Sequence, residues 1–202
     1  MLTNEKIIFI FAGYLIGSIP TGYLIGKVFK GIDIRKYGSR NIGATNVYRI
    51  LGKRAAIFTL VIDFVKGFIP VILAQQFIGG ISPVLVGIAA ICGHSWTIFL
   101  KFRGGKGVAT ASGVFFALFP LPMLFSAAIF FFLVILTGYV SLGSLGGALL
   151  FPVTVWFFER SYQLTLFTIL VSLLIIYNHR SNIRRLLQGK ENKFLQFHKS
   201  EI

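Results

Sequence analysis

Hydrophobic runs, broken by short polar segments, set the pattern of this chain. A helix needs roughly 20 apolar residues to cross a ~30 Å hydrocarbon core. Residues 7–29 meet that requirement, with Pro20 and several glycines expected to kink the run. Residues 55–79 and 81–100 give two further candidates. Beyond Gly107 the pattern is less regular. Residues 108–119 are apolar but too short to span at normal helical rise, and Pro120 and Pro122 mark a break. Residues 121–137, 141–158 and 164–178 complete the series. The expected fold is all-α and integral to a membrane, a single transmembrane domain over residues 1–202 with seven helices. The N-terminus lacks a basic region and a small-residue cleavage site, so the first run is expected to be a retained helix.

Charge orients this array. The net charge is +14 although only 13% of residues are charged, because 20 Lys and Arg face 6 Asp and Glu. Most fall in three segments: Lys30 to Arg54, Lys101 to Lys106, and the tail after Tyr177, which includes Arg180, Arg184, Arg185, Lys190, Lys193 and Lys199. Short basic loops stay cytoplasmic. If all three lie inside, an even number of helices separates Lys106 from the tail, and counting 108–119 as its own helix satisfies this. The N-terminus is then outside, the C-terminus cytoplasmic, and the site on the cytoplasmic face. The short helix needs an open end buried in protein or facing a polar cavity. The basic residues do not read as a nucleic-acid surface, because the aromatics are mostly Phe in apolar runs. Cys92 is the one cysteine, which excludes an internal disulfide; in its apolar helix it reads as inert.

The polar segments carry the candidate chemistry. The first holds Gly38, Ser39, Asn41, Gly43, Thr45, Asn46 and Arg49. Glycines permit turns that aim N–H groups at one point, hydroxyls and amides add donors, and Arg49 adds a bidentate cation suited to phosphate. It is not a P-loop, since Gly43 is followed by Ala-Thr rather than Lys-Ser/Thr. A capped helix start, with Asn41 or Thr45 as N-cap, explains the same residues. The second segment places Gly104, Gly105, Lys106 and Gly107 directly before an apolar helix, where backbone amides, a cation and the helix dipole favour an anion. A glycine-rich turn with a lipid-facing lysine is the alternative. In the third, His179, Asn182 and Arg185 follow one another at i,i+3 spacing and share a helix face, offering a base, an amide and a cation. A basic helix held on anionic lipid is the alternative. Asp63 and Lys66, also i,i+3, lie within the second apolar run, either as a local ion pair or as a polar wall of the site. His94 by itself reads as a structural histidine.

Several mechanisms are set aside. The chain has no His-x4-Asp pair, no Gly-x-Ser-x-Gly elbow and no cluster of metal-ligand spacing. An anion transporter remains a rival for a cationic vestibule with intramembrane charges, although the polar signals all lie on one expected face. A lipid-binding scaffold is a third reading.

Together the three segments resemble the bacterial acyl-phosphate:glycerol-3-phosphate acyltransferase family, PlsY, from Gly17-Ser-Ile-Pro20 to Glu191. The resemblance rests on Gly-Ser-x-Asn-Ile-Gly-Ala-Thr-Asn at 38–46, Gly-Gly-Lys-Gly-Val-Ala-Thr at 104–110 and His-Arg-x-Asn-Ile-x-Arg-Leu-Leu-x-Gly at 179–189. It implies transfer of a fatty acyl group from acyl phosphate to the sn-1 hydroxyl of glycerol 3-phosphate, giving lysophosphatidic acid and phosphate. It implies catalytic roles for Ser39, Arg49, His179 and Asn182. Substrate phosphates are assigned to Asn41, Thr45, Gly104, Gly105, Lys106, Gly107, Ser141 and Glu191. No metal or cofactor is implied. The implied location is a bacterial inner membrane, with a soluble acyl-phosphate-forming enzyme as functional partner. Three positions depart from the family pattern: Arg40 where Gly is common, Thr97 where Pro is common, and Arg103 where Lys is frequent.

Overall fold

A computed structural model describes residues 3–194; Lys199 of the basic tail lies outside them. Among the described residues ten α-helices follow one another: α1 (Asn4–Ser18), α2 (Thr21–Lys30), α3 (Ala44–Leu51), α4 (Lys53–Phe77), α5 (Ser82–Ser95), α6 (Val108–Leu118), α7 (Pro120–Thr137), α8 (Val140–Glu159), α9 (Tyr162–Asn178) and α10 (Arg180–Leu187). No strand occurs among the described residues. The expected kink at Pro20 is a full break between α1 and α2, because Pro20 has no N–H to continue the ladder. The other expected runs correspond to α4 through α9 within a few residues, except that the third ends as a helix at Ser95 and continues as a 3-10 turn over Ile98–Leu100.

Among the described residues five stretches are long and apolar enough to cross a membrane: Asn4–Lys30, Lys53–Phe77, Ser82–Leu100, Pro120–Thr137 and Val140–Glu159. Tyr162–Asn178 joins them when taken with Arg180–Leu187, from which it bends by 59°. Helix α6 is apolar but has 11 residues, about 16 Å of rise, which is half a hydrocarbon core.

The helices form two compact units. The first comprises α1 to α6, where α1 packs on α5 and α4 packs on α5 and α6. The second comprises α7 to α10, where α8 packs on both α7 and α9. The contact of α1 with α5 depends on Gly17, where a Cβ would stand 2.2 Å from the Ala90 carbonyl oxygen. Small residues let backbones approach closely where lipid supplies no hydrophobic drive for association.

Each unit is turned inside out relative to a water-soluble fold. Ile57, Phe58, Leu60, Val61, Ile62, Val65 and Ile69 on α4 are exposed, while Thr59, Asp63 and Lys66 of the same helix are buried. On α7, Phe131, Phe132, Ile135 and Leu136 face outward and Ser126 is buried, donating to the Gly147 carbonyl at 2.8 Å. Apolar groups outside and satisfied polar groups inside are what a hydrocarbon solvent selects. The chain is a multi-pass integral membrane protein.

Candidate active site

The first polar segment is organised by one buried side chain. Asn46 is 1% exposed; its Oδ1 accepts from the Ser39 N–H at 2.8 Å, and its Nδ2 donates to the carbonyls of Asn41 at 2.9 Å, Tyr37 at 3.2 Å and Ile34 at 3.4 Å. A single amide thus closes the loop from residue 34 to 46, and it leaves Ser39 on the exposed side. Asn41 Oδ1 accepts from the Gly43 N–H at 2.8 Å, an Asx turn that delivers the chain into α3. Gly43 is therefore the N-cap of α3, with no side-chain cap bond, which corrects the expectation of Asn41 or Thr45 there. Thr45 and Arg49 lie one helical turn apart on α3, so they share a face, and both are half-buried. Upstream, Asp33 accepts from the Arg35 guanidinium at 2.7 and 2.9 Å, and Arg35 lies 5.0 Å from the centre of the Tyr23 ring. The Arg35 hydrogen bond holds the Asp33 carboxyl below the ordinary aspartate range.

The second segment is a backbone hairpin. After α5 the chain turns through the left-handed residues Lys101 and Phe102. It then returns so that the Gly104 N–H donates to the Ser95 carbonyl at 3.1 Å and the Gly105 N–H to the His94 carbonyl at 3.0 Å. Gly105 is required there: a Cβ would stand 2.2 Å from His94 Nε2. Of the backbone amides in this glycine-rich run, those of Gly104 and Gly105 close the hairpin. Lys106 and Gly107 follow at the start of α6, where the Gly107 carbonyl accepts the first helical bond from the Ala111 N–H at 2.7 Å. Thr97, where the family pattern favours Pro, is buried and donates its hydroxyl to the Ser18 carbonyl at the end of α1.

The second unit holds the remaining residues. His179 sits at the bend between α9 and α10, buried, with Nδ1 2.8 Å from the Ile175 carbonyl. A carbonyl only accepts, so in the neutral ring Nδ1 carries the proton and Nε2 the lone pair. The Glu191 carboxylate gathers three donors from two helices. Its Oε1 accepts from the Ser141 hydroxyl on α8 at 2.9 Å and from the Asn182 amide on α10 at 2.7 Å, and its Oε2 accepts from Arg185 Nε at 2.7 Å. Burial opposes its ionisation, but the hydrogen bonds from Asn182, Arg185 and Ser141, with the Arg185 charge, hold Glu191 below the ordinary glutamate range. The i,i+3 spacing of Asn182 and Arg185 therefore does place two groups on one partner. Just beyond, the Phe194 N–H donates to the Gly138 carbonyl at 2.7 Å and Lys193 lies over the Tyr139 ring, which ties the tail to the α7–α8 turn.

Sequence reasoning overlooked Asn46 as the organiser of the first segment and Glu191 as the partner of Ser141. Asn46 stands within a run of polar residues that look equivalent until the loop closes. Among the described residues no group of three or more His, Cys, Asp or Glu side chains could hold a metal ion.

Comparison with known proteins assigns the chain. The family model described as glycerol-3-phosphate acyltransferase matches residues 7–189. A protein of that name from Trichlorobacter lovleyi is 50% identical over 90% of this chain and 93% of its own length. Another from Endomicrobium trichonymphae is 49% identical over 96% of this chain and 98% of its own. Two crystal structures of PlsY, an integral membrane glycerol 3-phosphate acyltransferase, are 38% identical and cover 94% of this chain. The glycerol 3-phosphate form superposes with a TM-score of 0.90 over 96% of that chain, and the lysophosphatidic acid form with 0.88 over 95%. With the family model and these relatives spanning nearly all of its residues, the chain belongs to the glycerol-3-phosphate acyltransferase family.

Proposed function

We propose that this glycerol-3-phosphate acyltransferase takes its acyl group from acyl phosphate and places it on the sn-1 hydroxyl of glycerol 3-phosphate. The observation that carries the acceptor and product is the likeness, across nearly the whole chain, to a solved acyltransferase in glycerol 3-phosphate and lysophosphatidic acid forms. The donor is supported by chemistry. The acceptor oxygen attacks the acyl carbonyl carbon, the carbonyl–phosphate C–O bond breaks, and phosphate leaves with the electron pair. Acyl phosphate carries its own leaving group, so the enzyme needs to position two anions, neutralise charge and exclude water. The hydroxyl proton goes to the departing phosphate or to His179 Nε2. Transport of an anion is not favoured by these relatives.

The proposed roles are these. In the first unit, Arg49 and Lys106 bind substrate phosphates, with Ser39, Asn41 and Thr45 as neutral donors and Gly107 opening the start of α6. Gly104 and Gly105 act by permitting the hairpin. In the second unit, Ser141 and Asn182 contact substrate, and Glu191 orients both. An anionic carboxylate that already holds three donors suits that role better than direct contact with phosphate, which it would repel. The single-domain reading is supported by one family model that runs across both units. The seven-span count, with α6 as the short span, the outward N-terminus and the cytoplasmic site rest on the charge rule. An inner-membrane location and a soluble acyl-phosphate-forming enzyme upstream complete the proposal. The test is turnover by purified protein with glycerol 3-phosphate and either acyl phosphate or an acyl thioester. Lysophosphatidate formed from acyl phosphate alone supports the reading, and formation only from the thioester overturns the donor.

A further inference from the structure

A buried charged cluster lies in the first unit, among residues the transfer mechanism does not use. Asp63 and Lys66 of α4 are 2% and 4% exposed, and His94 of α5 is 4% exposed. Lys66 Nζ is 2.7 Å from Asp63 Oδ1 and donates to the Ile19 carbonyl, also at 2.7 Å, at the break between α1 and α2. His94 Nδ1 lies 3.7 Å from the same Asp63 oxygen. The opposite ring nitrogen of His94 faces Gly105, and the backbone carbonyls of His94 and Ser95 hold the Gly105 and Gly104 amides. Two more bonds run beside these. The Thr97 hydroxyl donates to the Ser18 carbonyl, and the Tyr14 hydroxyl donates to the Trp96 carbonyl at 2.8 Å. The cluster therefore meets the broken helix through Lys66 and the glycine hairpin through His94.

Stability does not explain why charges sit here. Replacing a buried ion pair by apolar groups of similar volume is often neutral or stabilising, and the best-attested use of such pairs is to fix one arrangement among several. An ammonium is well suited to that task at Ile19. Pro20 interrupts the helical ladder, and the Ile19 carbonyl at the break, which accepts from the Thr21 N–H at 3.0 Å, takes in addition a charge-assisted bond from a side chain rooted on another helix. We propose that Asp63, Lys66 and His94 are positioning residues: they lock the α1–α2 break and the Gly104–Gly105 hairpin in one register, and so set where Lys106 and the start of α6 stand. The inference rests on the reading of Lys106 as a substrate-phosphate residue.

The double variant Asp63→Asn/Lys66→Met tests it, since removing both charges avoids a lone buried ion. It is compared with wild type and Lys106→Ala in detergent by two-substrate kinetics and by amide deuterium exchange. The expected result is a fall in kcat of about 10- to 100-fold with a smaller change in the KM for glycerol 3-phosphate. Exchange should rise in the peptide covering 103–108 and not across the other helices. A kcat within about twofold of wild type, unchanged exchange at 103–108, or exchange raised uniformly would each overturn the proposal. Full activity of Lys106→Ala would instead overturn the substrate role of that lysine, while the exchange measurement still decides whether the cluster holds the hairpin.

Discussion

Arg49 and Lys106 carry the electrostatic burden of the proposed chemistry. Each stands on or beside a helix whose start is shaped by glycine, Gly43 for α3 and Gly107 for α6. Losing one charge-assisted contact to phosphate should cost on the order of 2–3 kcal/mol, so Arg49→Ala and Lys106→Ala should each lower kcat/KM by roughly 30- to 150-fold. Steady-state kinetics in detergent check this, and activity within about twofold of wild type would remove the residue from the phosphate sites. Arg40 shows the same segment under a local constraint. Its φ is +59°, in the left-handed region where a residue with a Cβ is disfavoured, and this is the position where the family pattern favours Gly. The departure noted from sequence as an extra cation is thus also a backbone departure. Thr97 is clearer: it supplies a hydroxyl to the Ser18 carbonyl, which the Pro common at that position has no group to do.

Among the elements, hydrophobic pattern was a sufficient guide to the long helices and a poor one to the short ones. The helices from α4 to α9 were legible because a lipid surround selects apolar runs, and Pro120 marks the break after α6. Helices α3 and α10, eight residues each and polar on one side, were anticipated as a helix start and a shared helix face but given no bounds. Their candidate residues were legible as types and spacings. Their partners were not, because Asn46 closes its loop through three carbonyls and Glu191 joins Ser141, 50 positions away, to Asn182 and Arg185. Those contacts exist only once the chain has folded. The Glu191 clasp across α8 and α10 has a pH signature. Its folded pKa lies below the ordinary value, so its stabilisation is complete above that value and is lost as pH falls through the lower one. Thermal unfolding in detergent from about pH 6 to about pH 3 should therefore show wild type losing more stability than Glu191→Gln. Equal slopes would mean that the carboxylate contributes nothing as an anion.

For the whole molecule, the apolar runs of spanning length already announced a membrane protein, and the inside-out helices of both units agree. The distribution of charge adds an orientation. In a Cys92→Ala background, single cysteines at Gly31 and Gly189 should resist an impermeant thiol reagent applied from outside intact cells and react after the membrane is opened. Labelling of either from the outer side would contradict the proposed topology with its basic segments inside.

The chemistry itself is most directly tested by the order in which phosphate appears. Direct transfer needs the acceptor hydroxyl before the carbonyl–phosphate bond breaks. The Ser141 hydroxyl donates to the Glu191 carboxylate, but Asn182 and Arg185 donate to that carboxylate too and hold it below the ordinary glutamate range, which makes it a weak base for activating a nucleophile. Purified protein at substrate-like concentration, mixed with acyl phosphate alone, should release no phosphate above the uncatalysed rate and gain no acyl mass. Adding glycerol 3-phosphate should then release one phosphate for each lysophosphatidate formed. A burst of phosphate before the acceptor is added, with a matching acyl adduct on the protein that chases into lysophosphatidate, would contradict direct transfer; no phosphate release after its addition would contradict acyl phosphate as the donor.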